Sequence, residues 1–371
     1  MTVTPGPVLH VVVSMKPGGG PQHVGLLAHG LRARGWTPIV AGPADGAALD
    51  AFVKAGIEMV ELATDRLQPA TLWRLVELVR RRGIGLVHSH GKGAGFYGRL
   101  AAWVAGVPAV HTFHGIHFER YGGVGRAGYL ALERWLARHT AAVVHVSRAQ
   151  QEEAHRLRLG AAGRSHVVVN GVDGGCLQAG ALAPDAARRR LGLEPGAIVV
   201  GSIARLDEVK RLDLLIRAAA RLAHLKPVVT LVGAGPEAPA LQALARTLDG
   251  GVDVRFAGEI PVAARLLRAF DVYVAPSRKE GMPLAVLEAM ALGLPVVASA
   301  IAAHREVLGP GSAGLVAGEP DALARTLGAL LADPSARARL GADNRVRVEQ
   351  LFSASRMVEE IDRIYRAVLD R

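Results

Sequence analysis

Glu280 and Glu288 stand in the stretch Arg278–Ser299, RKEGMPLAVLEAMALGLPVVAS, with seven residues between them. Glu280 precedes a Gly281-Met282-Pro283 break, and Glu288 interrupts an otherwise apolar run. A carboxylate buried without a partner costs several kcal/mol, so core helices normally exclude it. As the acid and base of a retaining glycosidase, two carboxyls would stand about 5 Å apart. Eight helical residues rise about 12 Å, and here a loop–helix junction intervenes, so the spacing does not suit that pair. Upstream, Arg205 and Lys210 in SIARLDEVKR follow one apolar run and precede a helical pattern. Two cations there can meet a diphosphate leaving group; a surface Arg and Lys at a helix start is the plain alternative. Pro283 suits the first turn of a helix, and the free amides of such a turn suit a phosphate.

Glycine-rich turns offer further anion sites. Lys16–His23, KPGGGPQH, follows the first apolar run, and its glycines let backbone amides approach a phosphate or sugar. It is not the dinucleotide fingerprint, because His23 takes the third glycine position and Pro21 removes an amide. Gly233-Ala234-Gly235 after VVTLV lacks that third glycine too. His88, His90, His111, His114, His117 and Lys92 gather in VHSHGKG and HTFHGIHFER. Histidine is a common metal ligand. With no cysteine and little carboxylate nearby, a histidine touching substrate is expected ahead of a zinc site, and no metal is expected.

These residues need a scaffold that brings strand ends together. The apolar runs 8–13, 37–41, 86–88, 109–112, 142–146 and 166–169 alternate with helical patterns such as 72–82. Continuous Val/Ile runs between helices predict a buried parallel sheet with helices on both faces. A second series opens at Gly196 and continues with the runs 228–232, 252–256, 272–275, 295–299 and 314–316. The expected organisation is 1–176 and 177–352 as two Rossmann-like units, with 353–371 as a helix packing back on the first. Open parallel sheets bind ligands at the carboxyl ends of their strands, so the facing loops should carry the chemistry.

The 371 residues are 50% hydrophobic and 21% charged, suiting a folded two-domain chain. The net charge of +11 is uneven: 19 Lys/Arg against 11 Asp/Glu through Gln178, then 25 against 22. A basic face serves nucleic acid, anionic lipid or a phosphorylated substrate. With 4% aromatics and no nucleic-acid motif, nucleic acid is the weakest of these. A single cysteine, Cys176, fits a reducing cytoplasm. The first twenty residues read as a strand and turn, not a signal peptide, and no apolar run reaches the length of a membrane span.

The stretch E-G-M-P-L-A-V-L-E-A-M-A-L-G-L-P-V-V-A-S resembles the glutamate–seven residues–glutamate motif of retaining nucleotide-sugar glycosyltransferases. More specifically it resembles glycosyltransferase family 4, of the two-domain GT-B fold. The resemblance also takes in GGGPQH, VHSHGKGAGFYGRL, HTFHG, VVHVSRAQ, VVVNGVD, VGSIARLDEVKRLDLL, LVGAGPEAPAL and VRFAGEI, in order along nearly the whole chain. It implies that Gly19 and Gly20 face the donor phosphates and acceptor, and that His114 touches the transferred sugar. Arg205 and Lys210 would neutralise the diphosphate, Glu280 would hold sugar hydroxyls, and Glu288 the ribose. Amides around Gly281, Met282, Pro283 and Leu284 would meet phosphate and sugar, with Gly233, Gly235, Phe256 and Gly258 near the base. Two positions depart from common family usage: Gln22 replaces Glu, and Arg211 stands where Gly is frequent.

The resemblance implies transfer, with retention, from a nucleotide-diphosphate sugar, most simply a UDP-sugar, to an acceptor hydroxyl. No cofactor is implied; the absence of any Asp-x-Asp pair after a strand agrees with metal-independent chemistry. The acceptor it suggests is a lipid-linked glycan of bacterial surface polysaccharide, worked on in the cytoplasm or at the inner membrane face. The segment 118–138, with Tyr129, Leu130, Leu132, Trp135 and Leu136 among Arg126, Arg134 and Arg138, is either a surface for anionic lipid or an ordinary packed helix. A UDP-sugar 2-epimerase and a non-catalytic nucleotide-sugar-binding subunit are the alternative functions.

Overall fold

The structure, a computed structural model, describes residues 4–16, 18–46, 48–116, 121–160, 163–248 and 252–371. Two compact units divide the chain: Met1–Gly171 with Ala354–Arg371, and Val172–Ser353. The first boundary therefore falls after Gly171, five residues ahead of the expected 176, and Val172 and Ser353 bridge each other at the ends of the second unit.

The first unit holds seven strands: β1 Pro7–Val11, β2 Thr37–Gly42, β3 Glu58–Glu61, β4 Leu86–His90, β5 Ala109–Phe113, β6 Ala142–His145 and β7 Ser165–Val167. All pair in parallel, in the order β3-β2-β1-β4-β5-β6-β7. The second unit holds six: β8 Val199–Ile203, β9 Val228–Val232, β10 Asp253–Gly258, β11 Val272–Ala275, β12 Val296–Ser299 and β13 Leu315–Val316, in the order β10-β9-β8-β11-β12-β13. In each sheet the order reverses beside the unit's first strand, between β1 and β4 and between β8 and β11. Such switch points open a crevice at the strands' carboxyl ends.

The central strands β4, β5, β6, β8 and β9 are buried almost throughout; β6, β8 and β9 are largely apolar runs, while β4 and β5 bury histidines, serine and threonine as well. β3, EMVE, is partly exposed at the sheet edge and carries a glutamate at each end; it has no such run and was not anticipated. The helix Ala354–Leu369 packs on the first unit. Its Met357, Val358, Ile361, Ile364, Tyr365 and Val368 follow helical spacing and join Val8, Leu27, Leu31 and Trp36 in one core. Asp362 ties it down, accepting from Trp36 Nε1 at 2.7 Å and pairing with Arg34 and Arg366.

Candidate active site

The second unit's candidate groups lie on the loops after β8, β9, β10 and β11, stitched together by backbone hydrogen bonds. Ala204 N donates to Val232 O at 3.0 Å, Leu206 N to Ala234 O at 2.9 Å, and Gly233 N to Gly258 O at 2.7 Å. Glycine is needed at two of these points. Gly233 has φ +138°, and a Cβ there would collide with the Ala204 carbonyl; one on Gly235 would collide with that of Leu206. Thus Gly233, Gly235 and Gly258 gather at adjoining strand ends, while Phe256, within β10, packs against the hydrophobic core.

The β8 loop is joined to the β11 loop by Arg278 N donating to Val209 O at 2.9 Å. Across this join Lys210 Nζ donates to Glu280 Oε1 at 2.7 Å, and Ser277 Oγ donates to the same oxygen at 2.7 Å. Ser277 is itself fixed, its carbonyl accepting from Ser299 Oγ, and His304 Nδ1 lies 2.8 Å from Ser299 O. Arg205 Nε donates to Asp207 Oδ2 at 2.6 Å, with most of the Arg205 side chain exposed. Both expected diphosphate cations therefore already hold carboxylates. Asp207 and Ser277 were missed in the sequence, since short polar residues beside a cation carry no pattern of their own.

The helix after this loop runs Leu284–Ala291, with Pro283 as its N-cap and no side chain capping it. Pro283 thus precedes the first turn instead of filling it, and the amides of the first turn are left to other acceptors. Gly281, Met282, Pro283 and Leu284 form the approach to this end. Glu288 lies one turn in and is buried among the helix's apolar residues. Tyr273 on β11 is buried with its hydroxyl donating to Ile203 O at 3.0 Å; burial raises its pKa, and the charges of Glu288 and Glu280 push it the same way.

Arg211 explains the family's preference for glycine beside the lysine. Its φ of +50° and ψ of +40° are left-handed, a conformation that glycine takes without a Cβ penalty. Its guanidinium turns to Asp213 at 3.0 and 3.2 Å.

In the first unit, Gly19 and Gly20 are the first two residues of the helix Gly19–Arg32, not of a free loop as expected. Pro21 is compatible with a first turn, where its missing N–H has no helical acceptor to lose. Gly18 is the N-cap, and no side chain caps this end. The preceding turn is held by Asp45, which accepts from Ser14 Oγ at 2.8 Å and Met15 N at 2.5 Å.

The histidines divide by strand alternation. His10 pairs in register with His88, and His88 and His90 point to one face of β4. There His10, His23, His88, His90 and His114 form a cluster of rings 4.1–5.6 Å apart in successive contact. His111 lies on the other face, where its Nδ1 is 2.9 Å from Ser89 Oγ; it is therefore not part of the group expected from its position. His117 lies outside the described residues. Burial lowers the pKa of His10 to about 3 and of His23 to about 4, with His23 also lowering His10. His88, His90 and His114 are held well below the ordinary value by burial first and by neighbouring histidines of the cluster second, His10 foremost for His88, His88 for His90 and His23 for His114. The part of His10 and His23 was missed in the sequence, because each is a lone histidine in its own segment; the β1–β4 pairing and the packing of the helix Gly19–Arg32 unite them.

The helix Gly123–Arg138 resolves the aromatic–arginine segment into two faces. Leu130, Glu133, Leu136 and Ala137 are buried, with Glu133 accepting from the buried Arg99 at 2.7 Å. Leu132 and Trp135 face outward, and Trp135 meets the exposed Trp103 at a ring distance of 5.8 Å. Residues 118–120 of that segment lie outside the described residues.

Residues 17–174 match the model of the family described as Glycosyltransferase Family 4, and residues 185–347 that of Glycosyl transferases group 1. The glycosyltransferase EpsD of Bacillus subtilis (strain 168) is 30% identical over 296 residues, covering 77% of each chain. Alpha-maltose-1-phosphate synthase of Mycolicibacterium smegmatis (strain ATCC 700084 / mc(2)155) is 31% identical over 310 residues, covering 76% of this chain and 79% of its own. The chain belongs to the family 4 glycosyltransferases. Its two parallel-sheet units are those of the GT-B fold. The fold is shared with Anabaena HepE, solved in complex with UDP and glucose, at a TM-score of 0.83, 23% identity and coverage of 96% and 98% of the two chains. The chain is an enzyme that transfers glycosyl groups. Among the described residues, no helix is long and apolar enough to cross a membrane.

Proposed function

We propose that this glycosyltransferase moves a sugar, with retention, from a UDP-sugar to a hydroxyl of a lipid-linked glycan. The observation that carries the reading is Glu280, which accepts from both Lys210 and Ser277 at the entry to an uncapped helix bearing the buried Glu288. A nucleoside diphosphate gains negative charge as it leaves. Lys210, Arg205 and the amides at Gly281, Met282 and Leu284 supply fixed positive potential to receive that charge. Glu280 exchanges its hold on Lys210 for sugar hydroxyls, and Glu288 holds the ribose. The base is assigned to the strand ends that carry Gly233, Gly235 and Gly258, near Phe256.

In the reaction the acceptor oxygen bonds to the anomeric carbon on the face from which the phosphate oxygen departs. The acceptor proton passes to that departing phosphate oxygen. No side chain becomes glycosylated, and no metal is assigned to the diphosphate. His114 is assigned to the transferred sugar, and Gly19 and Gly20 to the donor phosphates and acceptor. The choice of UDP is supported by HepE, whose solved complex holds UDP and glucose.

The acceptor reading is supported by the exposed Trp103, Tyr121, Val124, Leu132 and Trp135 lying among arginines, a surface suited to the interface of an anionic bilayer. We place the reaction at the cytoplasmic face of the membrane, in the building of surface polysaccharide. Thermal shifts with a panel of UDP-, GDP- and ADP-sugars test the donor, and stabilisation by UDP-sugars above the others is expected. No stabilisation by any nucleotide sugar would overturn the site, and an inverted anomer in the product's NMR spectrum would overturn the stereochemistry. Failure to co-sediment with anionic vesicles would remove the membrane contact.

A further inference from the structure

The histidine cluster contains more ligating nitrogen than its hydrogen bonds use. Both nitrogens of His23 are buried without a hydrogen-bond partner, as is Nε2 of His10. The Asn170 side chain lies close enough to raise the His23 pKa, yet outside hydrogen-bond geometry. An unpartnered buried polar atom costs about 1–3 kcal/mol, so packing alone is a poor reason to gather these rings. His88 is fully used: its Nδ1 lies 2.5 Å from Tyr365 Oη and its Nε2 2.7 Å from Thr112 Oγ1.

His23, His90 and His114 are different. One nitrogen of each lies within 4.8 Å of the others. His90 Nδ1 and His114 Nε2 are 3.3 Å apart, long for a hydrogen bond. That separation is about the edge of a tetrahedron whose nitrogens stand ~2.0–2.1 Å from a central zinc ion. His90 Nε2 lies 3.0 Å from His10 Nδ1, so a metal on His90 Nδ1 leaves Nε2–H to donate to His10. Metal-bound histidines are typically oriented by such an outer hydrogen bond. His114 is only partly buried, which provides a way in for the ion and leaves a fourth position open to solvent.

We infer that His23, His90 and His114 bind one zinc-class divalent ion, and that this ion competes with the sugar for His114. The competition rests on the role given to His114 under the proposed function; the metal site does not. Zinc at this site is therefore an inhibitor of transfer, not a participant in it. Neutral imidazole is the ligand that zinc, cobalt(II) and nickel(II) accept, and burial keeps these rings neutral.

The test uses the full chain, stripped with chelator and titrated with cobalt(II) and then zinc. One cobalt per chain with the intense visible bands of tetrahedral coordination is expected, bleached by one equivalent of zinc. His23→Phe should weaken binding by roughly 100-fold or more, above the ~10–100-fold loss of an outer partner. His114→Asn, at a partly exposed position, provides a second variant if His23→Phe does not fold, and it should lose the bands as well. Stoichiometric zinc should slow transfer by the unmodified chain and leave the His23→Phe chain unaffected. Absence of tetrahedral bands, or bands that survive both substitutions, overturns the site. Tight zinc binding that leaves transfer unchanged overturns the competition. A chain that transfers no sugar refutes the proposed function, while the cobalt spectrum still decides the metal.

Discussion

Acidification from pH 7.5 to pH 5 should weaken the first unit by about 4 kcal/mol or more, through its buried histidines. His10 titrates at about 3 and His23 at about 4 in the fold, against 6.5 for each when exposed. Below pH 6.5 the unfolded chain takes up protons that the folded rings refuse. Stability is therefore complete above that value and is lost as the pH falls toward 3–4. Each pH unit in this window costs about 1.4 kcal/mol per ring, so each ring loses about 2 kcal/mol by pH 5. His88, His90, His111 and His114 are lowered by burial as well and shift stability in the same direction. Carboxylates leave the window clear, since unfolded Asp and Glu titrate near 4. All four tryptophans, Trp36, Trp73, Trp103 and Trp135, lie in the first unit, so their fluorescence follows its unfolding alone. With a urea dependence of roughly 2 kcal/mol per molar, the midpoint in chelator should fall by about 2 M. Equal midpoints at the two pH values would mean that the folded rings protonate freely, and the burial argument would fail.

Three further outcomes follow from named contacts. Glu280→Ala should lower kcat by about 10²–10³, as loss of a group in the transition-state site does, whereas Glu288→Ala should mainly raise the donor KM, and steady-state kinetics separates the two. Arg211→Gly should be about 1 kcal/mol more stable than Arg211→Ala in urea unfolding of the second unit, because both lose Asp213 and only glycine relieves the left-handed backbone. Asp362→Ala should cost the first unit about 1–3 kcal/mol and shift Trp36 emission, since the indole N–H and two arginines lose one acceptor.

How much of this was legible in the sequence depends on the range of the signal. Strands such as β6 and β9 were readable because burial on both faces makes them Val-rich runs. β3 was not, because an edge strand needs no apolar face. The glutamate loop and Lys210 were recognisable as motifs, but their contact required two loops 70 residues apart to meet at the β8–β11 switch. The histidine cluster was hidden for the same reason. His10 and His23 are ordinary locally; the pairing of β1 with β4 sets His10 beside His88, and the helix Gly19–Arg32 brings His23 to His90 and His114. Even within HTFHG the two histidines part: His111 turns to Ser89 while His114 joins the cluster, a division invisible when histidines are counted by proximity in sequence.

The state of Glu280 also bears on what the donor must bring. In the free chain Lys210 and Ser277 share one oxygen of Glu280, with the lysine and carboxylate only 25% and 13% exposed. Under the proposed function, a nucleoside diphosphate alone would draw Lys210 toward phosphate and leave Glu280 with Ser277 but no cation. A nucleotide sugar would supply both replacements at once: phosphate for the lysine and hydroxyls for the carboxylate. Glu280→Gln should therefore tighten the binding of UDP alone, by about fivefold if the pair contributes ~1 kcal/mol. The same substitution should weaken UDP-sugar, whose hydroxyls lose a charged acceptor. Calorimetric titration of both ligands against both chains reads this crossing directly. If Glu280→Gln weakened both ligands equally, Glu280 would act on the diphosphate side of the site, and the exchange of partners would be wrong.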